Sequence, residues 1–393
     1  MRYRRFGATG VQIPVLSCGG MRYQHSWNDA SPDEIPADSQ ANLEATIRRA
    51  LEVGINHIET ARGYGSSELQ LGRILPQLPR APMLVQTKVA PSASTDDFLR
   101  TFDKSMSLLG LDYVDFFSLH GINDAVTLGH ALRKGGCLEA AHRLREEGRV
   151  RHVGFSTHAP TRIIVEAIES GGFAYVNLHW YYINPFNWPA VERAAARDMG
   201  VFIISPSDKG GMLYRPPSRL EELCAPLTPM AFNDLFCLAR PEVHTLSIGA
   251  SRPSDFDAHL AALEHYDRIA ETIAPIEQRL REEMERVLGA DWVATWWKGI
   301  GEPDAFPGGV NVFEIVRLWN LVKAFDLVEF GKMRYNLLGN GGHWFPGAKA
   351  GEFDETALLA ALRDSPFADR IPGILREAHA LLAGEEKKRM SNA

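Results

Sequence analysis

The sequence predicts an α/β protein: a (β/α)8 TIM barrel followed by an all-helical C-terminal extension. Three observations lead there. Over the first ~250 residues, eight short β-rich apolar runs alternate with longer amphipathic stretches, the rhythm of a parallel sheet with helical crossovers. Most runs are continuously apolar rather than alternating, as in strands covered on both faces. After about residue 265 the rhythm stops and only helical periodicity remains.

In chain order, the runs are Pro14–Cys18, His57–Thr60, Met83–Val89, Val114–His120, His152–Ser156, Tyr175–His179, Val201–Ser205 and Thr245–Ile248. Between them, stretches such as Gln40–Val53, Asp97–Leu109 and Pro189–Met199 carry helical patterns. Eight such units in this length favour a closed barrel, with an open doubly wound sheet as the alternative. Further on, Ile269–Leu288 reads as a helix with Pro275 near a break. An aromatic, Pro/Gly-rich connector follows. Val312–Phe330 then reads as one strong helix, and after an Asn/Gly turn come Glu355–Arg363 and Pro372–Ala383. The expected division is a barrel over residues 1–268 and a helical extension packed on it over 269–393. The charged tail, GEEKKRMSNA, is expected to fray.

Composition narrows the function classes. The chain of 393 residues is 45% hydrophobic, enough for a large core, and its net charge of −7 excludes a basic nucleic-acid platform. No apolar run approaches the ~20 residues of a membrane span. The opening MRYRRFGATG lacks the apolar core of a signal peptide. Cys18, Cys137, Cys224 and Cys237 are scattered with no CxxC pair, which argues against a disulfide scaffold, a structural zinc site or a cysteine-bound cluster. No His/Asp pair falls at ligand spacing, so no metal site is expected. The expectation is a cytoplasmic protein with a small-molecule substrate and no nucleic-acid or membrane partner; an oligomer stays open.

In a barrel of this kind, chemistry gathers where strands end, on the carboxyl side. The second run ends in Glu59, followed by Tyr64; the third ends near Lys88 and the fourth in His120. Each alone could be a solvated loop residue or a structural hydrogen-bonder. Together, at three consecutive strand ends, they form a proton-transfer set. A tyrosine hydroxyl ordinarily titrates near ~10. A neighbouring lysine cation favours the tyrosinate, a carboxylate holds that lysine charged, and a histidine orients a substrate oxygen.

These residues also carry a resemblance. Glu59-Thr-Ala-Arg-Gly-Tyr64-Gly-Ser-Ser-Glu68, with Leu71-Gly72 after it, resembles the D-T-A-x-x-Y-G-x-x-E-x-x-L-G signature of aldo-keto reductases. Lys88 in QTKV, His120 in FSLHG, Gly154-Phe155-Ser156, Ser205-Pro206 and Gly249-Ala250-Ser251-Arg252 match the same family in order, over residues 1 to about 265. The resemblance implies a (β/α)8 barrel, a nicotinamide dinucleotide, and Tyr64 as general acid tuned by Lys88 and Glu59, with His120 orienting the carbonyl. Where the family has Asp, this chain has Glu59, one methylene longer, so the contact to Lys88 is expected with shifted geometry.

By the same resemblance, Gly20, Met21, Ser156 and Asn177 line the cofactor site, Asn177 standing where Gln is common. The loop Ser205-Pro-Ser-Asp-Lys209-Gly210-Gly211 offers backbone N–H groups and a cation suited to a pyrophosphate, or is a plain surface turn. Gly249, Ser251 and Arg252 precede a helix whose N-terminus suits phosphate. The cofactor is NAD or NADP. Asp255 falls where a 2′-phosphate would meet a cation, and a carboxylate there suits a ribose hydroxyl, so the balance leans to NAD. The long loop after the first strand, with Tyr23 and Trp27, and His179 after the sixth, would line an aromatic mouth for a sugar or aryl compound.

The extension resembles that of a subset of these reductases with a ferredoxin-like C-terminal region. Its four cysteine positions are occupied by Trp297, Ile300, Pro303 and Phe306, and a cluster needs thiolates. No iron–sulfur cluster is expected, and a hydrophobic plug would replace it. The main expectation is an oxidoreductase moving a hydride between NAD(P) and a carbonyl or secondary alcohol. The alternatives are a redox-neutral sugar epimerase, lyase or hydrolase with tightly held NAD, and a non-catalytic cofactor-binding barrel.

Overall fold

A computed structural model describes residues 1–389, so the end of the charged tail lies outside the described residues. The chain divides into two compact units. One is Met1–Gly210 with Asn233–Ile269; the other is Gly211–Phe232 with the chain from Ala270 onward. No helix among the described residues is long and apolar enough to cross a membrane.

The first unit opens on an antiparallel hairpin, β1 (Tyr3–Arg5) and β2 (Gln12–Pro14). Eight parallel strands then close a barrel: β3 (Leu16–Gly19), β4 (His57–Glu59), β5 (Leu84–Val89), β6 (Val114–His120), β7 (Val150–Ser156), β8 (Tyr175–Leu178), β9 (Gly200–Ile203) and β10 (Thr245–Ile248), with β10 pairing back to β3. These are the eight apolar runs. The hairpin escapes sequence patterning because its three-residue arms include Tyr-Arg-Arg and do not alternate cleanly.

The barrel interior is layered. At its N-terminal end Phe6 packs with Ile13, Phe116, Tyr175 and Phe202, its ring edge-on to Phe116 at 5.3 Å. Above this apolar floor lies a polar layer in which every member has a partner. Ser17 Oγ bonds both Thr245 Oγ1 and His57 Nδ1 at 2.7 Å, and Ser118 Oγ accepts from Gln86 at 2.9 Å and bonds the Tyr175 hydroxyl at 2.9 Å. Burial pushes the His57 imidazole down to about 3, and nearby Lys88 adds to the effect. The carboxyl ends of the strands form the layer above.

The second unit is helical. Its longest helix, Ile269–Leu288, runs through Pro275. The single helix expected over Val312–Phe330 is instead two, Val312–Phe325 and Val328–Tyr335. Asp326 adopts a left-handed conformation (φ 57°) and its N–H closes the first helix on the Val322 carbonyl. Glu314 is buried between Arg317 (2.7 Å) and Arg334 (3.2 Å), which hold its carboxyl down at about 2 against the cost of burial. The expected plug does not form as one body. Phe306 is buried, but Trp297 is 36% exposed, and it is its neighbour Trp296 that packs inward, 5.1 Å from Phe313. Consecutive residues on a helical turn face different sides, which places one indole inside and the other out.

Candidate active site

The loop after β4 folds back over the rim through a tight turn. Gly65 lies at φ 54°, and a Cβ there would meet the Ser26 carbonyl at 2.0 Å, so only glycine allows the approach. The Ser66 N–H donates to the Ser26 carbonyl (2.9 Å) and the Ser26 N–H to Ser66 Oγ (3.0 Å), tying the loop after β3 to the segment carrying Tyr64. Arg62 strengthens the tie by pairing with Asp29 of that loop and with buried Glu68. Trp27 is thereby set edge-on to Tyr64, ring centroids 6.4 Å apart.

Glu59, Tyr64, Lys88 and His120 come together. Lys88 is 1% exposed and its ammonium donates to Glu59 Oε1, to the Thr60 carbonyl (2.8 Å) and to the Tyr64 hydroxyl (3.2 Å). The His120 ring stands edge-on to Tyr64 at 5.6 Å. Burial pushes the Lys88 ammonium down, and the Glu59 carboxylate is the group paired with it. The effect on Tyr64 is opposite to the one expected from a neighbouring lysine. Burial of its hydroxyl raises the phenol, so Tyr64 holds its proton, which suits an acid.

The remaining sequence-derived positions separate into groups. Gly20 is packed so closely that a Cβ would lie 2.7 Å from the Glu59 carbonyl. Met21 is half-buried beside it. Tyr23, expected at the mouth, is 3% exposed and packs its hydroxyl toward Gly20 and Ser67; it belongs to the packing beneath the loop. Ser156, at the end of β7, is nearly buried and accepts from the Gly121 N–H. Across the sheet, Asn177 is fully buried and neither end of its amide has a partner. Buried Ser207 Oγ and Asp208 Oδ1 also lack partners. Ser205 sits in the left-handed region (φ 54°), a conformation seldom kept outside sites that require it. A Cβ on Gly210 would collide with the Pro206 carbonyl at 1.9 Å.

Lys209 does not reach out as a lone cation. Its ammonium lies 3.2 Å from His158 Nδ1 and 3.3 Å from His179 Nε2, and the two rings are 4.4 Å apart. His179 also bonds the Tyr181 hydroxyl at 2.5 Å. His158 was missed in the sequence, although it stands only two residues beyond Ser156, just past the end of β7. At β10, Asp255 accepts from the Ser251 N–H and hydroxyl (both 2.8 Å) and from Arg252 Nε (3.0 Å). These bonds lower its carboxyl against the cost of burial. Arg22, also missed, donates to the Gly249 carbonyl at 2.8 Å and links the loop after β3 to the end of β10.

A buried amide with both ends open presents one donor and one acceptor side by side, the complement of a primary carboxamide, and nicotinamide carries that group. The residues present therefore fit a nicotinamide cofactor. Such an amide and the Tyr–Lys–carboxylate–His set lie at strand ends of one closed barrel, an arrangement compatible with nicotinamide-dependent oxidoreduction.

Comparison with known proteins agrees. The aldo/keto reductase family model matches residues 15–198. L-galactose dehydrogenase of Arabidopsis thaliana is 23% identical over 329 residues, covering 76% of this chain and 97% of its own. L-glyceraldehyde 3-phosphate reductase of Escherichia coli K12 is 27% identical over 185 residues, 41% of this chain, and the match spans only 47% of that relative. The holo form of an aldo-keto reductase from Bacillus halodurans shares the fold with a TM-score of 0.59 and 21% identity, over 71% of this chain and 96% of its own. Over residues 15–198 the chain is similar to the aldo/keto reductase family, and it is an NAD(P)-dependent oxidoreductase.

Proposed function

We propose that this enzyme moves a hydride between NAD(P) and a carbonyl or secondary alcohol, with Tyr64 as the general acid or base. The observation that carries the reading is the Lys88 ammonium, shared between Glu59 and the Tyr64 hydroxyl at the rim of the barrel. In the reductive direction the cofactor, when bound, supplies the hydride. Tyr64 then delivers its proton to the substrate oxygen, and Lys88, 3.2 Å from the phenol, stabilises the tyrosinate left behind. Glu59 keeps Lys88 charged and aimed, and His120 donates a hydrogen bond that orients the carbonyl. Asn177 and Ser156 hold the carboxamide.

NAD is the favoured cofactor in this reading, because Arg252, the cation beside Ser251, is already engaged by Asp255, and Arg22 is held on the Gly249 carbonyl. NADP binding tenfold tighter than NAD would overturn that preference. The substrate class is a sugar or an aryl carbonyl, supported by Trp27 and His179 near the rim and by a relative named for its action on L-galactose. The helical region is read as a degenerate ferredoxin-like extension without its cluster.

The test is Tyr64→Phe, assayed at 340 nm with NADH against aldoses and aryl aldehydes. Turnover is expected to vanish while NADH binding stays at the wild-type level. Retained turnover would sink the assignment of Tyr64.

A further inference from the structure

We propose that Ser247 is a positioning residue that adapts this active site to a glutamate at position 59. The proposal rests on the roles given above to Tyr64, Lys88 and Glu59. Closure of the barrel sets β10 against β3 and β3 against β4, with Ser247 level with Ser17 and Gly19 level with Glu59. Ser247 and Glu59 therefore flank β3 from either side. Ser247 Oγ donates to Glu59 Oε2 at 3.3 Å, while Oε1 of the same carboxylate takes the Lys88 ammonium. Each carboxylate oxygen has its own donor, and Ser247, Glu59 and Lys88 are all at least nine-tenths buried.

Gly19 makes the contact possible. A Cβ built there would lie 2.4 Å from Ser247 Oγ and 3.3 Å from Glu59 Oε2, so the bond crosses the space that any other residue would fill. A glutamate also has one more rotatable bond than an aspartate and more freedom to swing. A carboxylate anchored only by Lys88 could pull that ammonium away from Tyr64. Ser247 fixes the second oxygen and so fixes the direction in which the first one holds Lys88. An aspartate at position 59 would draw the carboxylate back by about 1.5 Å, one carbon–carbon bond, beyond hydrogen-bond reach of Ser247. The serine thus acts only through the longer side chain.

The test is a cycle of wild type, Ser247→Ala, Glu59→Asp and the double variant, assayed with NADH and 4-nitrobenzaldehyde. Ser247→Ala is expected to lower kcat about tenfold with KM and NADH affinity within about twofold, the pattern of misplaced chemistry rather than lost binding. Ser247→Thr, which keeps the hydroxyl, restores most of kcat. In the Glu59→Asp background, Ser247→Ala changes kcat less than about twofold. A harmless Ser247→Ala, or an equal loss in both backgrounds, overturns the proposal. Turnover retained in Tyr64→Phe would instead overturn the reading of the tyrosine. In that case the same cycle is read on the thermal midpoint. A decrease caused by Ser247→Ala only in the Glu59 background supports the link, and equal decreases or none refute it.

Discussion

Replacing Lys88 by Met removes the cation from the centre of the site and leaves the Glu59 carboxylate, 3% exposed, with only Ser247 as donor. Breaking a buried ion pair on one side costs about 3–5 kcal/mol. The ceiling can be worked more closely, because an orphaned carboxylate escapes its penalty by taking up a proton. For an ordinary glutamate at pH 7 that uptake costs about 2.7 pH units, or about 3.7 kcal/mol; at pH 5 it costs only about 1 kcal/mol. Lys88→Met is therefore expected to destabilise the protein by about 4 kcal/mol at pH 7 and by much less at pH 5. Adding Glu59→Leu removes the stranded charge and is expected to restore most of the loss, since an apolar pair of similar volume is close to neutral in such a place. Urea unfolding of the three proteins at both pH values is the assay. An equal cost of Lys88→Met at pH 7 and pH 5, or no recovery with Glu59→Leu, would refute the claim that a charged pair is held at the base of the site.

Other perturbations have equally definite outcomes. Asn177→Ala should weaken NADH binding about tenfold, two hydrogen bonds to a carboxamide being worth ~1.4 kcal/mol or more; unchanged quenching of protein fluorescence by NADH counts against the amide as its receptor. Gly65→Ala forces a side chain into a left-handed turn 2.0 Å from the Ser26 carbonyl. It should cost roughly 1–3 kcal/mol and lower kcat by loosening Trp27 and Tyr64; normal urea midpoint and normal kcat together dismiss the tie between the two loops. Burial holds the His244 imidazole down at about 4, and its Nδ1 accepts the Val201 N–H at 3.0 Å. The native state thus refuses a proton that the unfolded chain accepts below pH ~6.5, and stability falls as pH drops from there toward 4, by about 2 kcal/mol between pH 7 and pH 5. His244→Gln should remove that part of the acid sensitivity in urea titrations; an unaltered pH dependence would show that another group is responsible.

The strands and the gathering of Glu59, Lys88 and His120 at one rim were legible because these residues stand at the ends of three consecutive apolar runs. What stayed hidden depends on closure and on backbone conformation. Ser247 and Glu59 are 188 residues apart, and only the return of β10 to β3 makes them neighbours. Lys209 reads as a cation on a loop until the fold brings it between His158 and His179. The break at Asp326 has no glycine or proline to announce it, since an aspartate takes the left-handed position. Tyr23 shows the opposite error: an aromatic in a long loop suggested a mouth, but the loop folds down and buries it.

The aromatic floor around Phe6 turns the barrel into a blind well. The hydrogen-bonded layer of Ser17, His57, Gln86 and Ser118 ends against that floor, its last bond going to the Tyr175 hydroxyl. On the proposed reading, Tyr64 recovers its proton from the side that admits the substrate. Reloading the acid and clearing the product become one queue, and whatever crowds that side slows both.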